Sequence, residues 1–241
     1  MVKIFGLHSI PSVQIGDNIG NLIVNAVRLH NVQIMPHDIF CVASKIVSVS
    51  EGRQVSLAEV VPSEQALKIH AQVPRKDARL IQLMLNETRY QDGSRLSITD
   101  GFIGGWMPNG MFLTSAGVDK LTSKSAILLP NDSDQSAGII AQTIKKALGI
   151  DVSVIITDSE GRPDKRGATQ IAIGLYGLTP VREENNRSHT KTSRAAETLC
   201  DLIAASAALE MGQRDAGIPV AVVSGLDYTY NTKARISDAI N

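Results

Sequence analysis

An abrupt change from apolar to charged residues constrains this chain most, because it marks both a buried strand and a candidate site. Residues 154–156 are Val-Ile-Ile, and the next eleven residues include Asp158, Ser159, two glycines and three cationic side chains. Strand ends commonly carry chemistry, since the strand is rigid and the adjoining loop can vary. Asp158 offers oxygen to a hard cation. The alternative is a solvated turn, because Asp and Gly are ordinary turn residues. The cations, which offer charge to phosphate or carboxylate, are Arg162, Lys165 and Arg166.

Composition limits the classes of protein that this chain can belong to. At 241 residues it predicts one large domain or two small ones, and its 43% apolar content is enough for a buried core. The net charge of zero argues against a general nucleic-acid binder. We expect no signal peptide and no transmembrane helix, because long apolar runs are absent from the sequence. Cys41 and Cys200 lie in apolar segments, so we expect buried free thiols in a cytoplasmic protein.

Periodicity and capping residues predict a mixture of helices and strands. An amphipathic helix is expected at 19–27 with Asp17 or Asn18 as its cap, and another begins after Ser63. Leu80, Ile81, Leu83 and Met84 mark a third helix. Two further helices are predicted after 132–134, ending at Gly149, and at about 193–211. Strands are predicted at 38–44, 127–130, 152–157, 170–173 and 219–224, and a polar loop at 182–192.

The glycine-rich segment 92–118 is predicted to form its own antiparallel region of short strands. Because helices and strands mix without regular alternation, we expect an α+β fold and not a doubly wound parallel sheet. The sequence contains neither a Gly-x-Gly-x-x-Gly fingerprint nor a Walker-type loop. Any nucleotide is therefore expected to bind in another way.

Three clusters of residues are candidates for chemistry. Residues 44–53 are predicted to be a strand that delivers Lys45 as a point charge for phosphate, with an exposed strand edge as the alternative. Asp119 follows a run of small residues, and together with Asp158 it would make an oxygen-rich site for Mg²⁺ or Mn²⁺. Sequence spacing leaves their convergence open. Residues 210–219 turn from a helix into a strand, and a plain helix stop is the alternative. The five histidines are scattered, and there is no Gly-x-Ser-x-Gly elbow, which disfavours a zinc site and a hydrolase triad.

Six blocks of the sequence, in order, resemble the gamma-glutamyl ligases that elongate the deazaflavin coenzyme F420. The resemblance extends from about residue 10 to residue 225. The blocks are Ser-Lys-Ile-Val-Ser with Glu-Gly-Arg at 44–53, Ala-Gly-Val-Asp at 116–119, Leu-Leu-Pro at 128–130 with Asp132, Asp134, Ser136 and Ala137, Ile-Ile-Thr-Asp-Ser with Gly-Arg-Pro at 155–163, Ala-Ile-Gly at 172–174, and Met-Gly with Ile-Pro at 211–219.

This resemblance implies a fold and a reaction. The fold would be a single α+β domain over residues 1–241, with mixed sheets, flanking helices and no P-loop, commonly in an intertwined homodimer. The reaction would use GTP or ATP with two Mg²⁺ or Mn²⁺ ions. It would join L-glutamate to the carboxylate of a small acceptor through an acyl phosphate. The acceptor would be the deazaflavin coenzyme precursor or a folate, and neither nucleic acid nor membrane would be a partner.

The resemblance also implies roles for individual residues. Metal ligands would be Asp119, Asp158, Ser159 and Gln213. Catalytic residues would be Asp158 and Arg162. Nucleotide contacts would come from Ile10, Pro11, Ser12, Val13, Ser44, Lys45, Thr122, Met211, Gly212, Gln213 and Ile218. Two departures from the family pattern are Val49, where many members have Lys, and the loop at 182–192, which lacks an Arg-Gly-rich motif. They leave a catalytically silent nucleotide- and metal-binding protein as the alternative.

Overall fold

The computed structural model describes residues 1–99, 102–162, 164–185, 194–213 and 216–240. The α-helices are α1 (Ile19–Leu29), α2 (Ser44–Ser50), α3 (Glu64–Gln72), α4 (Ala78–Thr88), α5 (Ser133–Leu148) and α6 (Leu199–Met211). The strands are β1 (Lys3–Gly6), β2 (Ile39–Ala43), β3 (Gln54–Ser56), β4 (Leu96–Thr99), β5 (Phe102–Trp106), β6 (Phe112–Thr114), β7 (Asp119–Lys120), β8 (Ser125–Ile127), β9 (Ser153–Gly161), β10 (Ala168–Leu178), β11 (Val181–Asn185), β12 (Arg194–Thr198), β13 (Val220–Ser224) and β14 (Tyr230–Asn231).

A six-stranded sheet in the order β1-β13-β2-β9-β10-β14 forms the centre of the fold. Strands β2 and β9 run parallel, whereas the other four neighbouring pairs run antiparallel. Parallel pairing places Ala43 opposite Thr157, so β2 and β9 approach the same edge of the sheet together. This mixture of sheets and helices confirms the predicted α+β class.

The central sheet is buried on both faces. Phe40, Val154 and Ile156 pack with α1 and α5 on one face, while Cys41 and Ile155 pack with α6 on the other. Alternate residues of a strand point to opposite faces, so β2 and residues 154–156 of β9 need apolar side chains on both faces. That requirement explains the continuous apolar runs in the sequence.

A separate apolar cluster lies between the smaller sheets and helices α3 and α4. Its buried members include Leu57, Ile81, Met84 and Ile103. Strands β3, β8 and β7 form one small antiparallel sheet, and β4, β5 and β6 form another. The second sheet lies within the predicted antiparallel region at 92–118. The assignment of residues 1–241 to one domain stays a prediction.

Capping side chains set the helix ends as the sequence predicts. The Asn18 side chain accepts a hydrogen bond from the Asn21 N–H at 2.9 Å, and Asp132 accepts one from the Gln135 N–H at 2.9 Å. Gly149 ends α5 with a left-handed φ of 74°. At 16 residues, α5 is the longest described helix. None of the helices in the described ranges is both long and apolar enough to cross a bilayer.

Several predicted element boundaries are wrong. Residues 44–50 form helix α2 and not a strand, because Ser44, Val47 and Ser48 bury one helical face against the sheet. Residues 182–185 of the expected loop at 182–192 belong instead to β11, which pairs with β12; residues 186–193 lie outside the described ranges. Helix α6 consequently begins at Leu199 instead of near residue 193.

The two cysteines are buried free thiols, as expected. Burial raises the pKa of each thiol to about 12, so both stay protonated near neutral pH. Neither thiol has the exposed, electropositive surroundings that make a cysteine reactive.

Candidate active site

The parallel pairing of β2 and β9 brings the candidate residues of both strands to one edge of the sheet. Ser44 directly follows β2, and its Oγ donates a hydrogen bond to Asp158 Oδ1 at 2.7 Å. The Ala43 N–H donates to the Pro219 carbonyl at 2.9 Å, which brings the segment before β13 to the same edge. Asp158 lies inside β9, which continues to Gly161, and not at a strand end as the sequence suggested.

The second wall of the site comes from an unusual turn before β7. Ser115, Ala116 and Gly117 have φ values of 55°, 49° and 68°, so three successive residues are left-handed. Non-glycine residues in this region are strained, and such strain concentrates at functional sites. A Cβ at Gly117 would lie 2.4 Å from Leu129 Cδ1, so the turn admits only glycine there without rearrangement. Two residues later the chain presents Asp119.

Asp119 and Asp158 line the same narrow cleft, which leaves about 10 Å³ of open space. Asp119 Oδ2 lies 3.0 Å from Lys45 Nζ, and both of these side chains are more than half exposed. The structure thus brings together the two carboxylates whose convergence the sequence left open. The other lining residues are Ser44, Ser48, Gly117, Ile127, Leu128 and Leu129.

The carboxyl of Asp158 occupies an environment that disfavours negative charge. Burial is the main cause that raises its pKa to about 6, and the charge of Asp119 adds to the rise. The hydrogen bond from Ser44 and the charge of Lys45 act in the opposite direction. A divalent cation between the two aspartates would favour the ionised form of both.

The donor set of the cleft fits a hard divalent cation. Carboxylate oxygens suit Mg²⁺ and Mn²⁺, and Mg²⁺ sites commonly combine one or two carboxylates with water and substrate phosphates. Within the described ranges, no group of three or more His, Cys, Asp or Glu side chains is arranged to hold a metal. An ion held by Asp119 and Asp158 would therefore leave positions open for water or phosphate oxygens.

Glu160 is a further carboxylate near this cleft that the sequence analysis did not single out. It lies on the same face of β9 as Asp158, because the two residues are separated by two positions. Its carboxylate accepts hydrogen bonds from the Thr114 N–H at 3.0 Å and from the Thr114 hydroxyl. Burial raises the pKa of Glu160, and Asp119 adds to the rise. The alternation of side chains along a strand would have placed Glu160 on the same face as Asp158, but it could not have shown the contact with β6.

Lys76 is a second residue that the sequence analysis missed. Its Nζ donates to Ser115 Oγ at 2.8 Å and therefore holds the first residue of the left-handed turn. Burial lowers the pKa of Lys76, while Asp119 raises it. Lys76 lies in an ordinary polar stretch before α4, so its local sequence carries no signal for this role.

The structure separates the four expected metal ligands into two pairs. Ser159 Oγ donates to Gln213 Oε1 at 2.9 Å and accepts from Gln170 Nε2 at 3.0 Å. Neither Ser159 nor Gln213 lines the cleft of Asp119 and Asp158. Alternation along β9 explains the separation, since Ser159 and Asp158 point to opposite faces.

Four of the expected nucleotide contacts lie in the turn at 10–13, which follows β1 of the central sheet. Ile10 and Val13 pack against the core cluster that contains buried residues of α1, and Pro11 and Ser12 between them are exposed. The Leu7 N–H donates to the Val220 carbonyl at 2.8 Å, which holds this turn beside the start of β13.

The remaining predicted site residues differ in their surroundings. Ile218 packs closely on Gly6, where an added Cβ would lie 2.6 Å from Ile218 Cγ2. Met211 is buried at the end of α6, and Gly212 follows it with a φ of 69°. Thr122 is exposed in the turn between β7 and β8, where its Oγ accepts from the Lys124 N–H at 3.0 Å. Arg162 is exposed and does not line the cleft.

Comparison with known proteins identifies the family. A sequence profile described as F420-0:gamma-glutamyl ligase matches residues 8–225. The coenzyme F420:L-glutamate ligase of Methanothermobacter thermautotrophicus is 34% identical over 232 residues, covering 93% of this chain and 89% of that protein. The enzymes of the same name from Haloarcula marismortui and Methanosarcina acetivorans are each 32% identical over 237 residues, covering 94% and 96% of this chain and 88% and 89% of those proteins. The chain therefore belongs to the F420-0:gamma-glutamyl ligase family and is a ligase that forms an amide bond.

Proposed function

We propose that this protein is an NTP-dependent gamma-glutamyl ligase that joins L-glutamate to the terminal carboxylate of a coenzyme F420 precursor. The observation that carries the proposal is the cleft in which Asp119 and Asp158 face Ser44 and Lys45 at one sheet edge. The names of the relatives, which act on coenzyme F420 and L-glutamate, support this choice of substrates. Folate remains a second acceptor to test.

The reaction would proceed in two steps. A carboxylate oxygen of the acceptor attacks the γ-phosphorus of GTP or ATP, and the bond to the β-phosphate oxygen breaks to release the nucleoside diphosphate. The amine nitrogen of L-glutamate then attacks the acyl carbon, loses a proton, and displaces inorganic phosphate. Phosphorylation is required because a free carboxylate oxygen is a poor leaving group, whereas phosphate is a good one.

The residues of the cleft would position and neutralise the phosphates. Asp119 and Asp158 would hold one or two Mg²⁺ or Mn²⁺ ions, which supply positive charge against the triphosphate. Lys45, which lies on the exposed side of Asp119, would act as a point charge on a phosphate oxygen. Ser44 would keep Asp158 oriented through the hydrogen bond between them.

A turnover assay with a panel of acceptors tests the proposal. The protein is incubated with GTP or ATP, Mg²⁺ or Mn²⁺ and L-glutamate, together with the deazaflavin precursor, dihydropteroate or dihydrofolate. Glutamate-dependent phosphate release and a mass gain of one glutamyl unit on the deazaflavin precursor are expected. A product on dihydropteroate or dihydrofolate alone would move the activity to folates.

The same assay also addresses a catalytically silent protein on this scaffold. That alternative predicts tight binding of the metal-nucleotide complex without product on any acceptor. Asp158→Asn serves as the control for contaminating activity, because an amide at this position supplies no charge to a cation. Equal turnover by wild type and Asp158→Asn would contradict the assigned cleft.

A further inference from the structure

A cavity of about 560 Å³ lies next to the carboxylate cleft. Leu129 lines both spaces and forms part of the wall between them. Leu113 also lines the cavity. The N–H of the next residue, Thr114, donates a hydrogen bond to Glu160, which lies on the same face of β9 as Asp158. This volume falls within the roughly 300 to 1,000 Å³ typical of small-molecule sites. The narrow cleft, in contrast, has room for little more than an ion or a single polar group.

The acidic residues of the cavity are already engaged by the fold. Asp134 accepts hydrogen bonds from the Leu175 N–H at 2.7 Å and the Ile236 N–H at 3.2 Å. Asp132 caps α5, and Glu87 accepts from Arg53 at 2.9 Å. These carboxylates therefore have structural partners and offer few open acceptor positions to a ligand.

Two arginines at the cavity, in contrast, keep donors available. Arg235 lies 3.9 Å from Asp134, too far for a hydrogen bond, and its side chain is 63% exposed. Arg89 is exposed, and within the described part of the chain its guanidinium has no hydrogen-bond partner. Arg89 also ends α4 with a left-handed φ of 60°, a conformation that Gly or Asn adopts more readily. The cavity lining therefore presents two guanidinium groups with open hydrogen-bond donors.

An apolar floor completes the cavity. A lining that combines apolar side chains with open guanidinium donors suits a ligand that has an apolar body and an anionic group. The floor consists of Met107, Met111, Leu113, Leu129 and Ile173.

We infer that this cavity binds the body of a carboxylate-bearing acceptor, with Arg89 and Arg235 holding its anionic groups. The inference rests on the proposed function, because it assigns the acceptor of that reaction to a particular place. The acceptor carboxylate would reach the aspartates past Leu129, the residue that the two spaces share.

Arginine variants test the inference by steady-state kinetics. Arg89→Gln and Arg235→Gln should each raise the KM for the deazaflavin precursor about tenfold, and the double variant about a hundredfold, through lost charge-assisted hydrogen bonds. The KM values for nucleotide and L-glutamate should not change. Arg95→Gln is the matched control, because Arg95 lies over the ring of Tyr90 at 4.9 Å and does not line the cavity. Arg89→Lys should recover part of the loss, since it retains the charge.

Direct binding separates this inference from the proposed reaction. The fluorescence of the deazaflavin precursor reports its binding to the full chain in the absence of nucleotide. Circular dichroism verifies that each variant is folded. Weaker binding by folded Arg89→Gln and Arg235→Gln supports the cavity even if wild type shows no turnover. Unchanged binding, no binding by wild type, or a KM change confined to L-glutamate would each overturn the inference.

Discussion

The two walls of the carboxylate cleft are built in different ways. Asp158 lies within a strand of the central sheet, and Ser44 on the adjoining segment fixes its carboxyl at 2.7 Å. Asp119 lies at the start of the two-residue strand β7, after a left-handed turn, and its side chain is 56% exposed. One aspartate is therefore fixed and desolvated, whereas the other is placed by local backbone conformation and remains in contact with solvent.

This contrast indicates how the cleft can combine rigidity with affinity for a cation. Ionisation of a buried carboxylate without a cation lowers the stability of the fold. The paired strands around Asp158 must therefore hold its side chain in place against this cost. An exposed carboxylate incurs no such penalty but needs backbone strain to hold its direction. We therefore expect substitutions in the two walls to differ in how much they change the stability of the fold and how much they change turnover.

Asp158→Asn is expected to have the largest effect, with opposite signs for activity and stability. Turnover should fall by about 10³-fold, because the amide supplies no charge to a cation. Stability of the metal-free protein at pH 7 should rise by up to about 3 kcal/mol, since the folded pKa of about 6 exceeds the ordinary value of 3.8. Urea unfolding in EDTA measures this change. A less stable variant would contradict the assigned desolvation.

Gly117→Ala is expected to distort the wall that presents Asp119. The added Cβ would lie 2.4 Å from Leu129 at a φ of 68°, which should destabilise the protein by about 2 to 3 kcal/mol and reduce turnover. Gly149→Ala is the matched control, because Gly149 has a φ of 74° but nothing within 4 Å of an added Cβ. It should lose only about 1 kcal/mol. Equal losses in thermal unfolding would show that the contact with Leu129 has no separate effect.

Metal binding is expected to weaken as the pH falls through about 6, where the carboxyl of Asp158 takes up a proton. At pH 5 the apparent affinity for Mn²⁺ should be about tenfold lower than at pH 7, because ionised carboxylate is the ligand. Stability of the metal-free fold should follow the opposite trend. It declines as the pH rises from about 4 to 6, since the folded state binds more protons in that range. Calorimetric Mn²⁺ titrations at both pH values test the first trend, and a flat profile would exclude Asp158 as a ligand.

Asp119→Asn is expected to have the smallest effect on stability. Its ion pair with Lys45 is more than half exposed on both sides, and such pairs contribute about 0 to 1 kcal/mol. Thermal unfolding without metal should therefore change by less than about 1 kcal/mol. A loss as large as that of Gly117→Ala would mean that the carboxylate, and not the turn, holds this wall together.

The local sequence predicted those helices whose ends are marked by capping residues or glycine. The caps at Asn18 and Asp132 and the stop at Gly149 define helices α1 and α5 at the positions that the sequence indicated. The apolar run before Asp158 gave a strand, but its continuation to Gly161 depends on pairing with β10, which no local pattern reveals. Helix α2 was missed because its β-branched residues favour a strand, and tertiary burial outweighs that preference.

The candidate site was predicted in part, for a similar reason. Spacing cannot show that Asp119 and Asp158 converge, because 38 residues of sheet, helix and turn separate them. Lys76 and Glu160 act through contacts with Ser115 and Thr114, which belong to other elements. The cavity lined by Arg89 and Arg235 likewise combines the end of α4 with residues 235–237. Such sites follow from topology, which a single sequence specifies only indirectly.

A double-mutant cycle of Mn²⁺ binding tests most directly the claim that both walls hold one metal site. Titrations by electron paramagnetic resonance compare wild type, Asp119→Asn, Asp158→Asn and the double variant. If the two carboxylates share an ion, each single variant should lose most of the affinity, and the double variant should lose little more. Additive losses, or wild-type affinity in either single variant, would show that Asp119 and Asp158 do not act on the same ion.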